Sequence, residues 1–257
     1  MMHAAHFKRF ALSLLICSAL APAAADAQLF EPAPVRPHSE LTAEEVVANL
    51  VRRNLERARA LGGYQGTRTY SLVYNGFPGS RSAEMVVDMS YQSPGTKEFT
   101  LRSEKGSRLV IDRVFKRLLE SEKEALSKEN QSRVALNDEN YRFTLISYET
   151  TPSGSCYVLS VDPRTKNKLL YRGRIWVDAK DFAVVRIEGE PAKNPSFWTK
   201  ETKIVQVYAK VGDFWLPVSN RSTSFIRLGG RAYLTIDYKN YQITAAHVPT
   251  NSVAERK

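Results

Sequence analysis

The sequence predicts an α+β, mainly β fold: a curved antiparallel sheet of about ten strands wrapped around a few helices. Three observations carry that expectation. The hydrophobic period changes from 3.6 to 2 after Gly63 and, outside one charged stretch, stays at 2 to about residue 243. Turn signals such as "NGFPG", Pro152-Ser153-Gly154, Asp162-Pro163 and Gly229-Gly230 cut this region into strands joined by short connections. Large apolar residues occupy both faces of the strands, while only two helical stretches are available to cover them. A curved sheet that wraps around its helices reconciles these facts and leaves a cavity where the helices do not fill the concavity. A fully packed β-sandwich is the competing arrangement.

The N-terminus reads as a signal peptide over residues 1–27. Lys8 and Arg9 precede an apolar run of roughly a dozen residues, and Ala25-Asp26-Ala27 offers a small-residue cleavage site after Ala27. The run is short and alanine-rich for a membrane span; an N-terminal anchor is the alternative. Removal of this segment leaves about 230 residues, enough for one domain with a sizeable core. Cys156 is then the only cysteine, so no internal disulfide is expected, and its strand context "SCYVLSV" suits a small buried residue. The net charge of +10 points, outside the cytoplasm, to acidic lipid surfaces, polymers or proteins rather than nucleic acid.

Residues 28–41 are proline-rich and read as an extended arm. A single domain is expected over 42–246, followed by a tail at 247–257. Its first element is a helix. Thr42 and Glu45 fit a capping box, Val46, Val47, Leu50, Leu55, Ala58 and Leu61 recur at helical spacing, and Gly62-Gly63 stop it. "YQGTRTYSLVY", "AEMVVDMSYQS" and "KEFTLRSEKGS" follow as strands. The second helical stretch runs from Arg108 to Arg133, with Leu109, Val110, Val114, Leu118 and Leu119 apolar and its later part charged and solvated. Beyond Asn140 seven strand-like segments suggest one antiparallel meander. In "RIWVDA" Ile175 and Val177 share a face opposite Arg174, Trp176 and Asp178. Ala183, Val185 and Ile187, then Val205 and Val207, continue as aliphatic rows.

The segments "GRIWVDAKDFAVVRIEGEPAK", "GDFWLPVSN" and "YLTIDYKNYQI" resemble the outer-membrane lipoprotein-sorting protein family, the LolA-like proteins with LolB and the N-terminal domain of RseB as structural kin. The resemblance covers nearly all of the chain after the signal peptide in layout. It implies an unclosed half β-barrel with lid helices in its mouth, an apolar cavity for acyl chains, and no catalytic signature. It also implies a periplasmic carrier working between inner-membrane donor and outer-membrane acceptor proteins, with transient contact at the membrane surface. The alternative within the same resemblance is an RseB-like adaptor that senses lipid or protein signals without transport.

Acyl chains need apolar area more than polar groups, since each buried methylene contributes about 0.8 kcal/mol. The candidates for such a surface are Met85, Met89, Trp176, Phe182, Phe197, Trp198, Tyr208 and Trp215; core packing is the plain alternative for each. Phe197 and Trp198 follow Asn194-Pro195 in a loop that could rim a mouth. Arg174 and Arg186 are candidates for a lid or head-group contact, with pairing to Asp178 or Glu188 as the alternative. Catalysis finds little support. After the signal peptide the histidines are His38 in the arm and His247 at the tail, so neither a histidine triad nor a histidine-rich metal site is expected. No spacing singles out a carboxylate pair. No cofactor is expected.

Overall fold

The computed structural model describes residues 41–246, apart from 127, 152–153, 168, 195–198 and 228. The expected signal peptide, the expected arm to residue 40, the expected tail from 247, Phe197 and Trp198 therefore lie outside the described residues.

Helix α1 (Ala43–Ala60) starts on the expected capping box. Glu45 N–H donates to Thr42 Oγ1 at 3.2 Å, and Thr42 N–H donates to Glu45 Oε2 at 2.7 Å. Two otherwise unpaired donors of the first turn are thus satisfied. Val46, Val47 and Leu50 are buried against the sheet, but the apolar stripe does not continue. Leu55 is 53% exposed, and Asn54 and Arg57 are the half-buried residues of the last turns. Arg57 explains the change: it donates to the carbonyl oxygens of Asp181 at 2.9 Å and Phe182 at 3.0 Å. The helix end is tied to a strand turn by hydrogen bonds instead of apolar contact. Gly62 and Gly63 are not a left-handed cap, since Leu61 leaves the helix in an extended conformation. They permit close strand approach instead. A Cβ on Gly63 would lie 2.5 Å from the Tyr91 carbonyl oxygen.

Ten strands follow: β1 (Leu61–Asn75), β2 (Arg81–Gln92), β3 (Thr96–Gly106), β4 (Tyr141–Thr151), β5 (Gly154–Pro163), β6 (Tyr171–Asp178), β7 (Val184–Pro191), β8 (Thr199–Val211), β9 (Phe214–Ile226) and β10 (Arg231–Ala245). They form one sheet in the order β3-β2-β1-β10-β9-β8-β7-β6-β5-β4, with antiparallel neighbours throughout. A single sheet excludes the sandwich. The fold is the mainly β, unclosed half-barrel, and its two free edges are β3 and β4. The seven strands beyond Asn140, β4 to β10, form the expected single meander, and β1 pairs with β10 to join it to the first three strands.

The charged stretch between the free edges is helical but not uniform. It comprises α2 (Arg108–Val110), a π-helical turn (Ile111–Phe115), α3 (Lys116–Ala125) and α4 (Lys128–Val134). The wider π turn rotates the apolar face relative to an unbroken 3.6 period. Val110, Ile111, Val114, Phe115 and Leu118 are therefore buried, while Leu109, expected among them, is 39% exposed.

Strand register fixes which side chains face the helices. Tyr70 pairs with Ile236, Ile236 with Asn220, Asn220 with Gln206, Gln206 with Ile187, and Ile187 with Ile175. Ile175 and Val177 lie on this inner face, as expected, and are fully buried. The rows on β7 and β8 differ from expectation. Trp176 pairs with Arg186 and Val177 with Val184, so Val185 is an extra residue in a bulge, and Val184 joins Ile187 on the inner face. On β8 the inner residue is Gln206, which leaves Val205 and Val207 on the outer face. The inner wall therefore carries a buried polar band. Thr202 Oγ1 and Ser224 Oγ share a hydrogen bond of 2.9 Å, and Asn220 Nδ2 donates to Gln206 Oε1 at 3.1 Å.

Candidate ligand-binding site beneath the helices

The inner face of β1 alternates Tyr64, Gly66, Arg68, Tyr70 and Leu72. Arg68 is the exception in this apolar series, and it is 3% exposed. Its partner comes from above. Phe115, Leu118, Glu122 and Ala125 recur at helical spacing along the buried face of the insertion, so α3 points the Glu122 carboxylate at the sheet. Arg68 Nη1 donates to Glu122 Oε2 at 2.5 Å and Nη2 donates to Oε1 at 2.7 Å, a two-pronged pair. Lys97 on β3 donates to the same Oε1 at 2.5 Å. Arg68 Nε contacts Met89 Sδ at 2.8 Å, and its Nη1 reaches the Tyr70 hydroxyl at 3.2 Å.

Aromatic rings surround the two cations. The Arg68 guanidinium lies 4.7 Å from the Tyr238 ring centroid and 5.3 Å from that of Phe99. Lys97 Nζ lies 5.7 Å from Tyr64 and 6.0 Å from Tyr91. Burial by itself would neutralise all three charged groups, yet their mutual attraction prevails. Burial pushes the Glu122 carboxyl up, and Arg68 and Lys97 overcome it, bringing it down to about 2. Burial lowers Arg68 and Lys97, and the Glu122 charge more than reverses this, so both stay protonated. The cluster holds α3 against β1 and β3 and carries two positive charges against one negative.

A cavity of about 280 Å³ adjoins it under the last turns of α1. Its walls include Asn54 and Arg57 from the helix, Tyr64, Tyr91 and Lys97 from the first three strands, and Trp215 from β9. From α1 and its end the cavity is lined by Asn54 and Arg57 together with Ala58 and Leu61. Trp215 is fixed by its Nε1, which donates to Asp181 Oδ2 at 2.8 Å beside Lys210 Nζ at 2.6 Å. Burial raises the Asp181 carboxyl, but these two donors hold it below the usual range.

Among the residues singled out from the sequence, Trp215 lines this cavity. Met89 touches Arg68 next to it, and Met85 and Tyr208 are fully buried in the core. Phe182 lies in the turn between β6 and β7, stacked on Tyr157 at 6.2 Å. Trp176 is on the outer face, opposite the inward Ile175, with its Nε1 donating to Glu149 Oε2 at 3.0 Å. Arg174 and Arg186 flank its ring at 5.6 and 5.5 Å and pair with Glu188. Two-residue alternation puts all three on the side away from the helices, and for Arg174 and Arg186 the pairing seen is the one with Glu188 weighed as the alternative. Cys156 is buried, and burial raises its thiol to about 11, so it is held as the thiol at neutral pH.

Sequence reasoning missed Arg68, Lys97 and Glu122. A signal existed: Arg68 interrupts an inward row of Tyr64, Tyr70 and Leu72, and Glu122 falls four residues after Leu118. The stretch around Glu122 was expected to be solvated because charged residues dominate its composition. Among the described residues no group of three or more His, Cys, Asp or Glu could hold a metal ion.

No protein-family model matches the chain, and no curated protein does. Solved structures do share its layout. A DUF1329 family protein from Desulfovibrio piger is 16% identical, over 79% of this chain and 93% of that chain, with a TM-score of 0.41. A putative outer membrane lipoprotein-sorting protein domain from Vibrio parahaemolyticus is 14% identical, over 80% and 95%, with a TM-score of 0.39. A LolA superfamily protein from Nitrosomonas europaea is 10% identical, over 81% and 96%, with a TM-score of 0.34. At these identities and TM-scores the function of this chain is argued from its own residues.

Proposed function

We propose that this protein is a periplasmic carrier that encloses acyl chains of lipoproteins or lipids between the inner face of its half-barrel and the helices lying on it. One observation carries this reading. The helices form a separate layer on the inner face, and among the described residues the polar links that fasten them include Glu122 to Arg68 and Lys97 and Arg57 to the β6–β7 turn. Apolar contact between α3 and the sheet is non-directional, so an alkyl chain can take its place. The polar links set the closed position. Release of the helices would expose Met85, Val87, Leu234 and Ile236, a surface suited to acyl chains. Uptake and release need no cofactor, and the partners are an inner-membrane donor and an outer-membrane acceptor. The basic surface would favour brief contact with an acidic membrane.

The test is mass spectrometry of organic extracts of the protein purified from a bacterial periplasm, beside an unrelated exported control. Enriched lipid or lipopeptide is expected. Added lipid should change the hydrogen-exchange protection of Ala43–Ala60 and Lys116–Ala125 and leave β6–β8 unaltered. If extracts are clean and neither added lipids nor lipoproteins bind, the carrier reading falls and the adaptor reading replaces it.

A further inference from the structure

The buried ion cluster is unbalanced, and its surplus faces a cavity. Arg68 and Lys97 are both protonated, and Glu122 is the carboxylate bound to them. Arg68 spends two of its five donors on Glu122 and two more on Tyr70 and Met89. Lys97 spends one of its three N–H groups on Glu122 and forms part of the cavity wall. A buried net charge is costly, and a singly charged anion delivered to Lys97 would cancel it. The lining also includes a second cation, Arg57, already engaged with two carbonyl oxygens. Aromatic side chains, Tyr64, Tyr91 and Trp215, complete the wall. The volume of about 280 Å³ is at the lower end of small-molecule sites, enough for a head group and the first methylenes of a tail.

We propose that this cavity receives the singly charged anionic head group of an amphiphile, a carboxylate or a phosphodiester, with Lys97 as its counter-ion. Glu122 is then the internal competitor, an anion supplied by the lid that shares Lys97 with the cargo. The proposal rests on the acyl-carrier reading and adds the charge of the head group to it.

Four probes with the delipidated full chain test it by calorimetry: palmitate, palmitoyl-lysophosphatidylglycerol, hexadecanol and acetate. The carboxylate or the phosphodiester amphiphile should bind at least about tenfold tighter than hexadecanol, and acetate should not bind, because charge and tail act together. Which of the two binds tighter identifies the source. Lys97→Met should abolish the roughly tenfold preference for the anionic amphiphile over hexadecanol, whereas Lys97→Arg should retain it. Glu122→Gln should tighten the anion by a similar factor, a gain that loss of folding cannot mimic. Equal binding of palmitate, lysophosphatidylglycerol and hexadecanol, or an anion affinity untouched by Lys97→Met and Glu122→Gln, overturns the head-group proposal and leaves the acyl reading standing. Failure of all three tailed probes removes both.

Discussion

Two regions of the sheet use the same side-chain chemistry with opposite results. On the inner face, Arg68 and Lys97 sit among aromatic rings and share Glu122. On the outer face, Arg174 and Arg186 sit on either side of Trp176 and share Glu188. The inner cations are 3% and 4% exposed at the side chain; the outer ones are 57% and 46% exposed. Water screens the outer group, so it ties two strands loosely and dispensably. The inner group has no such screening, and the helix above supplies its only counter-charge among the described residues. A cluster of two cations, a carboxylate and a ring is thus a surface ornament or a latch according to the parity of its position on a strand.

Breaking the latch should have the largest effect. Glu122→Ala leaves two buried cations uncompensated and should cost about 3–5 kcal/mol in urea denaturation. A loss below about 1 kcal/mol would mean that the helices move aside readily and let water in. Acid should act on the same group. The Glu122 carboxyl is lowered in the folded protein from 4.5 to about 2, so its contribution is complete above pH 4.5 and disappears as pH falls toward 2. The difference corresponds to about 3 kcal/mol, and Glu122→Gln should flatten stability against pH in that window. Arg57→Ala removes the hydrogen bonds from α1 to the β6–β7 turn and should cost about 1–2 kcal/mol, read as faster hydrogen exchange in Ala43–Ala60. Smallest of all, Glu188→Ala on the outer face should cost below about 1 kcal/mol and become negligible in high salt. If Glu188→Ala matched Glu122→Ala, the contrast between the faces would collapse.

The strands, the first helix and its cap were legible because period and capping chemistry act locally. Topology was less so. That β1 pairs with β10, so that the chain forms two meanders, depends on contacts between the chain's far ends, which no local pattern encodes. The bulge at Val185 inverted one row, because a single extra residue reverses parity for everything before it. The π-helical turn did the same to Leu109 in the helical register. The latch was hidden for a different reason. Composition averages over a segment, and one buried glutamate among solvated neighbours is invisible until its helix has a sheet beneath it. Arg68 was the legible half: a cation in an inward row of aromatic residues asks for a counter-charge.

The helical insertion leaves the sheet at Gly106, the end of one free edge, and re-enters it at Tyr141, the start of the other. One length of chain is therefore both the cover and the drawstring of the barrel's open seam. Whatever spreads the seam would therefore bear on the same strap that carries Glu122.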